Sequence, residues 1–286
     1  LIALGYTLVY GIIELINFAH GDLFMLGAVF TYFFLTSFLG AKGSTTRNWA
    51  MLGLTLLVVM TFCASLNVLI ERLAYRRLRD APKLAPLITA VGVSFILQFI
   101  GLKWNGSAPR NFETVVPHKN WLVFGVTVPY RAIMVIGITI PLLILLVTLV
   151  NKTRQGKAMR ATAQDKDAAR LMGIDVNKTI SFTFALGGAM AGAAGLMFAQ
   201  SVGTVAYNTG FQLGLIAFTS AVLGGVGNLN GAVLGGFLIG IIQGFNDGLP
   251  FGPGQKWSQT IVFTILILLM VYRPAGLLGK ATLEKV

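Results

Sequence analysis

From Thr179 to Asn246 the chain runs 68 residues without a charged side chain. That run constrains the fold more than any motif does, because a helix crossing a ~30 Å hydrocarbon core uses about 20 residues at ~1.5 Å each. It is long enough for about three crossings. Two natural breaks divide it, Val202–Gly210 (VGTVAYNTG) and Gly224–Asn230 (GGVGNLN). Shorter charge-free runs recur at Leu1–Ile13, Leu23–Ala41, Asn48–Ile70, Leu84–Leu102, Ala132–Asn151 and Trp257–Tyr272. The pattern predicts an all-α, polytopic transmembrane helix bundle with eight or nine membrane segments, some short or broken. No polar linker is long enough to divide it, so residues 1–286 are read as a single domain. The composition agrees, since 11% of residues are charged against roughly 25% in soluble chains. The apolar content excludes intrinsic disorder, and a single cysteine, Cys63, excludes a disulfide scaffold.

The net charge is +12, but Lys and Arg gather in short loops between apolar runs rather than along a basic stripe. That distribution encodes membrane topology and argues against a nucleic-acid partner. Five fall in Glu71–Lys83, seven in Asn151–Lys178 and three from Arg273 onward. The other seven, Lys42, Arg47, Lys103, Arg110, Lys119, Arg131 and Lys256, collect on the opposite face. Fifteen against seven predicts a cytoplasmic first face and a cytoplasmic C-terminus. The Lys103–Arg131 loop, with Trp104 and Trp121, then faces outward.

Glycines four apart, at Gly188 and Gly192 and again at Gly236, Gly240 and Gly244, predict helix faces that neighbouring helices approach closely. Two Asn-containing breaks also look alike. Ile16-Asn17-Phe18-Ala19-His20-Gly21 and Gly227-Asn228-Leu229-Asn230-Gly231 each precede a new span. Asn is a favoured N-cap, and paired breaks in corresponding positions point to a transport pathway. The expectation is that Asn17 caps a helix starting near Gly21. Asn17, Phe18, His20, Gly21, Asn228 and Asn230 are then the candidate pathway residues, with His20 lining the path or bonding across to the other break. Ordinary turns at the membrane surface are the alternative.

Enzymatic motifs are absent. There is no HExxH or GxSxG. The closest approach to a phosphate-binding loop, Gly276–Ala281, has Pro274 in place of the first glycine and Ala281 in place of the hydroxyl residue. No catalytic residue, metal or cofactor is predicted, and any nucleotide must bind another chain. Few ionisable residues approach the spans: Glu14, and Asp22 beside His20. Such residues are costly in a membrane and often functional, and their scarcity argues against a proton relay.

The polar stretch Arg154–Lys178 carries good helix formers from Gly156 to Gly173, with apolar residues at Ala161, Ala168, Leu171 and Met172 and Gly173 as C-cap. This reads as one short amphipathic helix, resting on lipid headgroups or docking a cytosolic partner. The acidic Asp165, Asp167 and Asp175 favour docking.

Several segments resemble the branched-chain amino-acid ABC-transporter permeases of the Liv type. They are Leu4-Gly5-Tyr6 through Tyr10-Gly11, Ile16–Asp22, Glu71–Arg76, Ala163-Gln164-Asp165, Ala168–Ile174, Ala221–Gly227 and Arg273–Gly279. The resemblance implies a permease subunit of an importer in a prokaryotic cytoplasmic (inner) membrane. It would pair with a second homologous permease, two cytoplasmic ATP-binding subunits and an extracytoplasmic solute-binding protein. Asp167–Gly173 is similar to the EAA-x3-G pattern that docks the ATPase, with Asp in place of Glu, although the downstream Ile-x-Leu-Pro has no evident counterpart. Asp165, Asp167, Ala168, Ala169 and Gly173, within the loop 152–178, are the candidate coupling residues. The family normally has further residues before Leu1, so an incomplete first helix is expected. Urea or short-amide permeases of the same superfamily, and a self-sufficient channel or carrier, are the alternatives.

Overall fold

The computed structural model describes residues 1–13, 17–40, 46–79, 81–82, 84–111, 113–117, 119–123, 126–248, 254–273 and 275–279. Glu14 and His118 lie outside them. Among the described residues the chain forms helices α1 (Ile2–Ile13), α2 (Ala19–Phe33), α3 (Thr46–Ile70), α4 (Leu84–Asn105), α5 (Tyr130–Lys152), α6 (Arg154–Gln164), α7 (Lys166–Leu171), α8 (Val176–Val202), α9 (Thr209–Gly224), α10 (Leu229–Gly248) and α11 (Gln255–Tyr272). Six are long and apolar enough to cross a membrane, counting α2 and α3 with their extensions, and α1, α9 and α11 are shorter apolar helices. The long charge-free run divides into α8, α9 and α10 at the two expected breaks.

Both α2 and α3 run on into a single π turn, Phe34–Phe38 and Glu71–Tyr75 respectively. Two small antiparallel ribbons complete the fold. Strand β1 (Arg110–Asn111) pairs with β4 (Thr204–Val205), and β2 (Asn120–Val123) pairs with β3 (Val126–Pro129).

Helix α8 lies at the centre, packed on α1, α2 and α3, while α9 and α10 form a hairpin against α1 and α2. Of the six long spans the most apolar, α5, is only 17% buried, whereas 67% of the α8 span is buried. That inversion is what lipid imposes. A hydrocarbon solvent does not drive Leu and Ile inward, so helices associate through small residues that let backbones approach. A Cβ on Gly188 would sit 2.5 Å from the Cys63 carbonyl oxygen, and one on Gly192 would sit 2.8 Å from that of Val59. Cys63 is fully buried there, its thiol 3.6 Å from the Leu23 carbonyl.

The second glycine row is placed differently. Added carbons at Gly236, Gly240 and Gly244 would meet nothing within 4 Å. Helix α10 packs on α9 through Gly231 and Gly235, against the carbonyls of Gly224 and Ser220. One residue of offset turns a helix face by about 100°, so Gly236 and Gly240 border open space rather than a neighbouring backbone.

Candidate functional site

The first break differs from its sequence expectation in two respects. Helix α2 begins at Ala19, not near Gly21, and no side chain caps it. The Asn17 carbonyl instead receives the His20 amide at 3.0 Å, and Asn17 Oδ1 accepts the Tyr75 hydroxyl at 2.8 Å. The partner lies at the end of the π turn after α3, so a side chain that could cap locally serves a tertiary contact. Asn17, His20 and Asp22 are all buried within the chain. The imidazole of His20 fills a notch left by Gly5 and meets Tyr6 edge-on, ring centroids 4.9 Å apart. It lies by the Ile2 main chain without a hydrogen bond of good geometry. Gly21 faces α9, where a Cβ would come 2.5 Å from the Gly210 carbonyl oxygen.

At the second break Asn228 does cap, its Oδ1 accepting the Asn230 and Gly231 amides at 3.1 and 3.2 Å. Its amide nitrogen donates to the Leu278 carbonyl at 2.8 Å, so residues 275–279 are tied to this turn. Gly225 and Gly227 hold the positive φ values of +107° and +85° that make the turn. The turn approaches α1 at Gly11, whereas His20 sits at Gly5. Six residues of helix, about 9 Å, separate those points, and His20 makes no bond to Asn228 or Asn230.

A cavity of about 410 Å³ lies beside Gly236 and Gly240, with mostly apolar walls. A second, of about 520 Å³, opens between α2, α4 and α9 and is lined by Phe18, Val91, Ser94, Phe95, Gln98, Asn208, Phe211 and Gln212. Behind its wall is Asp22. Ser94 Oγ donates to Asp22 Oδ2 at 2.5 Å and accepts from Gln98 Nε2 at 3.2 Å. Asp22 Oδ1 has no hydrogen-bond partner among the described residues. Of these lining residues the sequence reading had marked only Phe18. A signal was present, because Ser94 and Gln98, and Asn208 and Gln212, are polar pairs at i,i+4 on otherwise apolar helix faces.

A second buried carboxylate, unlike Asp22 not singled out in the sequence, is treated in the opposite way. Glu71, with no exposure, receives Arg76 Nε and Nη2 at 3.3 and 3.2 Å, Ser181 Oγ at 2.7 Å, and Arg79. Arg79 also donates to Asn177 Oδ1 at 2.7 Å, so the cluster ties the π turn to the start of α8.

The polar segment leading into α8 forms two helices where the sequence suggested one. The break is Asp165, whose Oδ1 accepts the Asp167 and Ala168 amides at 2.8 and 2.9 Å and so caps α7. An Asp offering that bond mid-helix competes with the backbone and starts a new helix. Asp167 pairs with Arg170 at 3.1 Å, and Gly173 takes φ +80°. Asp175 caps α8 through the Lys178 amide at 3.0 Å. That bond, and then the Lys178 ammonium, hold its carboxyl below the ordinary range. Ala169 is buried within the chain, Ala168 is exposed, and Leu171 and Met172 stand out at 89% and 83% exposure.

Residues 1–271 match the family described as branched-chain amino acid transport system / permease component. The high-affinity branched-chain amino acid transport system permease protein BraD of Pseudomonas aeruginosa is 36% identical over all of this chain and 93% of its own length. LivH of Salmonella typhimurium, of the same description, is 33% identical over all of this chain and 92% of its own. A probable LivH of Methanocaldococcus jannaschii is 30% identical over 98% of this chain and 88% of its own. No solved structure matches the chain. With a family match over nearly its full length and relatives aligned end to end, this chain belongs to the family of branched-chain amino acid transport permease components.

Proposed function

We propose that the chain is the membrane-spanning permease subunit of an ATP-binding-cassette importer that carries branched-chain amino acids across the cytoplasmic membrane. The observation that carries this reading is the end-to-end match to permeases named for that transport. Translocation is by alternating access, with ATP hydrolysed by partner subunits and solute delivered by an extracytoplasmic binding protein. A second, homologous permease completes the pathway. The α6–α7 loop and the C-terminus face the cytoplasm, in line with the fifteen-to-seven asymmetry of Lys and Arg. The path passes the two breaks, with Phe18 at the first lining the cavity between α2, α4 and α9.

The loop is where force enters. Leu171 and Met172 form the exposed apolar knob that an ATPase groove would receive, and Asp165, Asp167 and Gly173 shape the turns that present it. Asp175 then transmits the motion into α8, and the Glu71 cluster transmits it into the π turn. Met172→Asp is expected to abolish co-purification of the ATP-binding subunits while the permease inserts normally. Retained co-purification would overturn the docking assignment.

The function is tested by reconstituting the purified importer in proteoliposomes. ATP-dependent uptake of L-leucine that needs the binding protein is expected. Uptake by this chain alone would make it a self-sufficient carrier, and uptake of urea in place of leucine would move it to the sibling class.

A further inference from the structure

Resting on that reading, we propose that the cavity between α2, α4 and α9 is a site that holds the amino acid inside the permease, its ammonium group toward Ser94 and Gln98 and its aliphatic side chain against the phenylalanines. Several independent observations converge on this cavity.

The first is the direction of the hydrogen bonds. The Ser94 hydroxyl has one proton, which goes to Asp22. Its oxygen is then an acceptor, and Gln98 Nε2 fills it. With its nitrogen turned inward, Gln98 has its carbonyl oxygen available to the cavity. A relay of this polarity places an acceptor at the cavity wall, backed by a buried carboxylate. Such a wall favours a cation, and the ammonium of a zwitterion is one. The second observation is Asp22 itself. It has no exposed surface, and its Oδ1 lacks a partner. A carboxylate left half satisfied in an apolar bundle is costly, and a positive charge a short distance away offsets that cost.

The remaining walls match the rest of the molecule. Asn208, immediately before α9, and Gln212 in its first turn carry amide donors suited to the α-carboxylate. Phe18, Phe95 and Phe211 supply the apolar surface for a branched side chain. The volume of about 520 Å³ falls within the roughly 300–1,000 Å³ of small-molecule sites. The cavity beside Gly236 has no comparable polar relay.

The test uses the assembled importer and the diazirine analogue of leucine. Irradiation is expected to label residues 91–98 and 208–212, and excess L-leucine should suppress the label. Gln98→Leu should lower leucine uptake about tenfold, the loss of one hydrogen bond to a charged group. Phe95→Trp should shift the leucine-to-valine uptake ratio toward valine by about tenfold, as pocket volume differences of a methylene or more do. If the wild-type importer takes up leucine but the label falls elsewhere, the site is wrong and the transport reading stands. If the wild-type importer takes up no branched-chain amino acid, both fall. Should Gln98→Leu fail to assemble with its partners, the label on the wild-type protein alone decides.

Discussion

Glu71 and Asp22 are carboxylates without solvent exposure in the same apolar bundle, and the bundle treats them oppositely. Glu71 is saturated. Two arginines and a serine reach its two oxygens, and those partners come from just beyond the π turn and from α8. Asp22 takes a close hydrogen bond from Ser94, has Gln98 nearby, and keeps an oxygen with no partner. A buried ion with every lone pair occupied is part of the scaffold, and removing a partner exposes an uncompensated charge. One with spare capacity can take a further donor, which is what a site for a passing solute requires. Burial alone does not separate the two; the count of satisfied lone pairs does.

The contrast is most exposed to failure at Glu71. Glu71→Gln strips the counter-ion from Arg79, whose side chain is 11% exposed, and is expected to cost roughly 3–5 kcal/mol. Thermal unfolding in detergent measures it, and a midpoint near that of the wild type would break the comparison. Arg76→Ala is milder, because Arg76 is 37% exposed and Glu71 keeps Arg79 and Ser181. About 1 kcal/mol is expected in the same assay. Asp22→Asn sharpens the contrast from the other side. An asparagine keeps the shape and can still accept from Ser94, so stability should change by less than about 1 kcal/mol. Leucine uptake should nevertheless drop; a variant that unfolds while Glu71→Gln does not would invert the assignment. The smallest effect belongs to an exposed carboxylate, Asp175, at the start of α8. Its folded value lies below the unfolded one, so its contribution is complete above about pH 4 and fades as pH falls through the lower folded value. The small gap in unfolding midpoint between wild type and Asp175→Ala should therefore close in acid; a gap that persists there would assign it to something other than the cap.

How much of this was legible in the sequence follows from the range of each interaction. The spans and both breaks in the Thr179–Asn246 run could be read, because lipid solvation acts residue by residue along the chain. The cap at Asn228 is local and was equally readable, since its acceptor and donors lie within three residues. Asn17 carries the same residue type in a similar setting, yet its partner is Tyr75, 58 positions away. No local rule predicts that choice. Asp165 looked like a solvent-facing charge on one helix, because its competing bond to its own backbone carries no periodic signature. The two glycine rows had identical spacing and opposite surroundings. Spacing states that a face can be approached, and only the packed bundle states by what.

The π turn at Glu71–Tyr75 limits how this protein can change through its gene. A π turn holds one residue more than the α-helical turn it replaces. Losing one codon between Arg72 and Ala74 would restore the ordinary winding and swing everything beyond it by about 100°. Tyr75 would then leave Asn17, and Arg76 and Arg79 would leave Glu71, in a single step. Point substitutions can sample these positions one at a time, each with partners still in place. A change of length cannot, so lineages descending from this chain are free to vary the letters of the segment but held to its count.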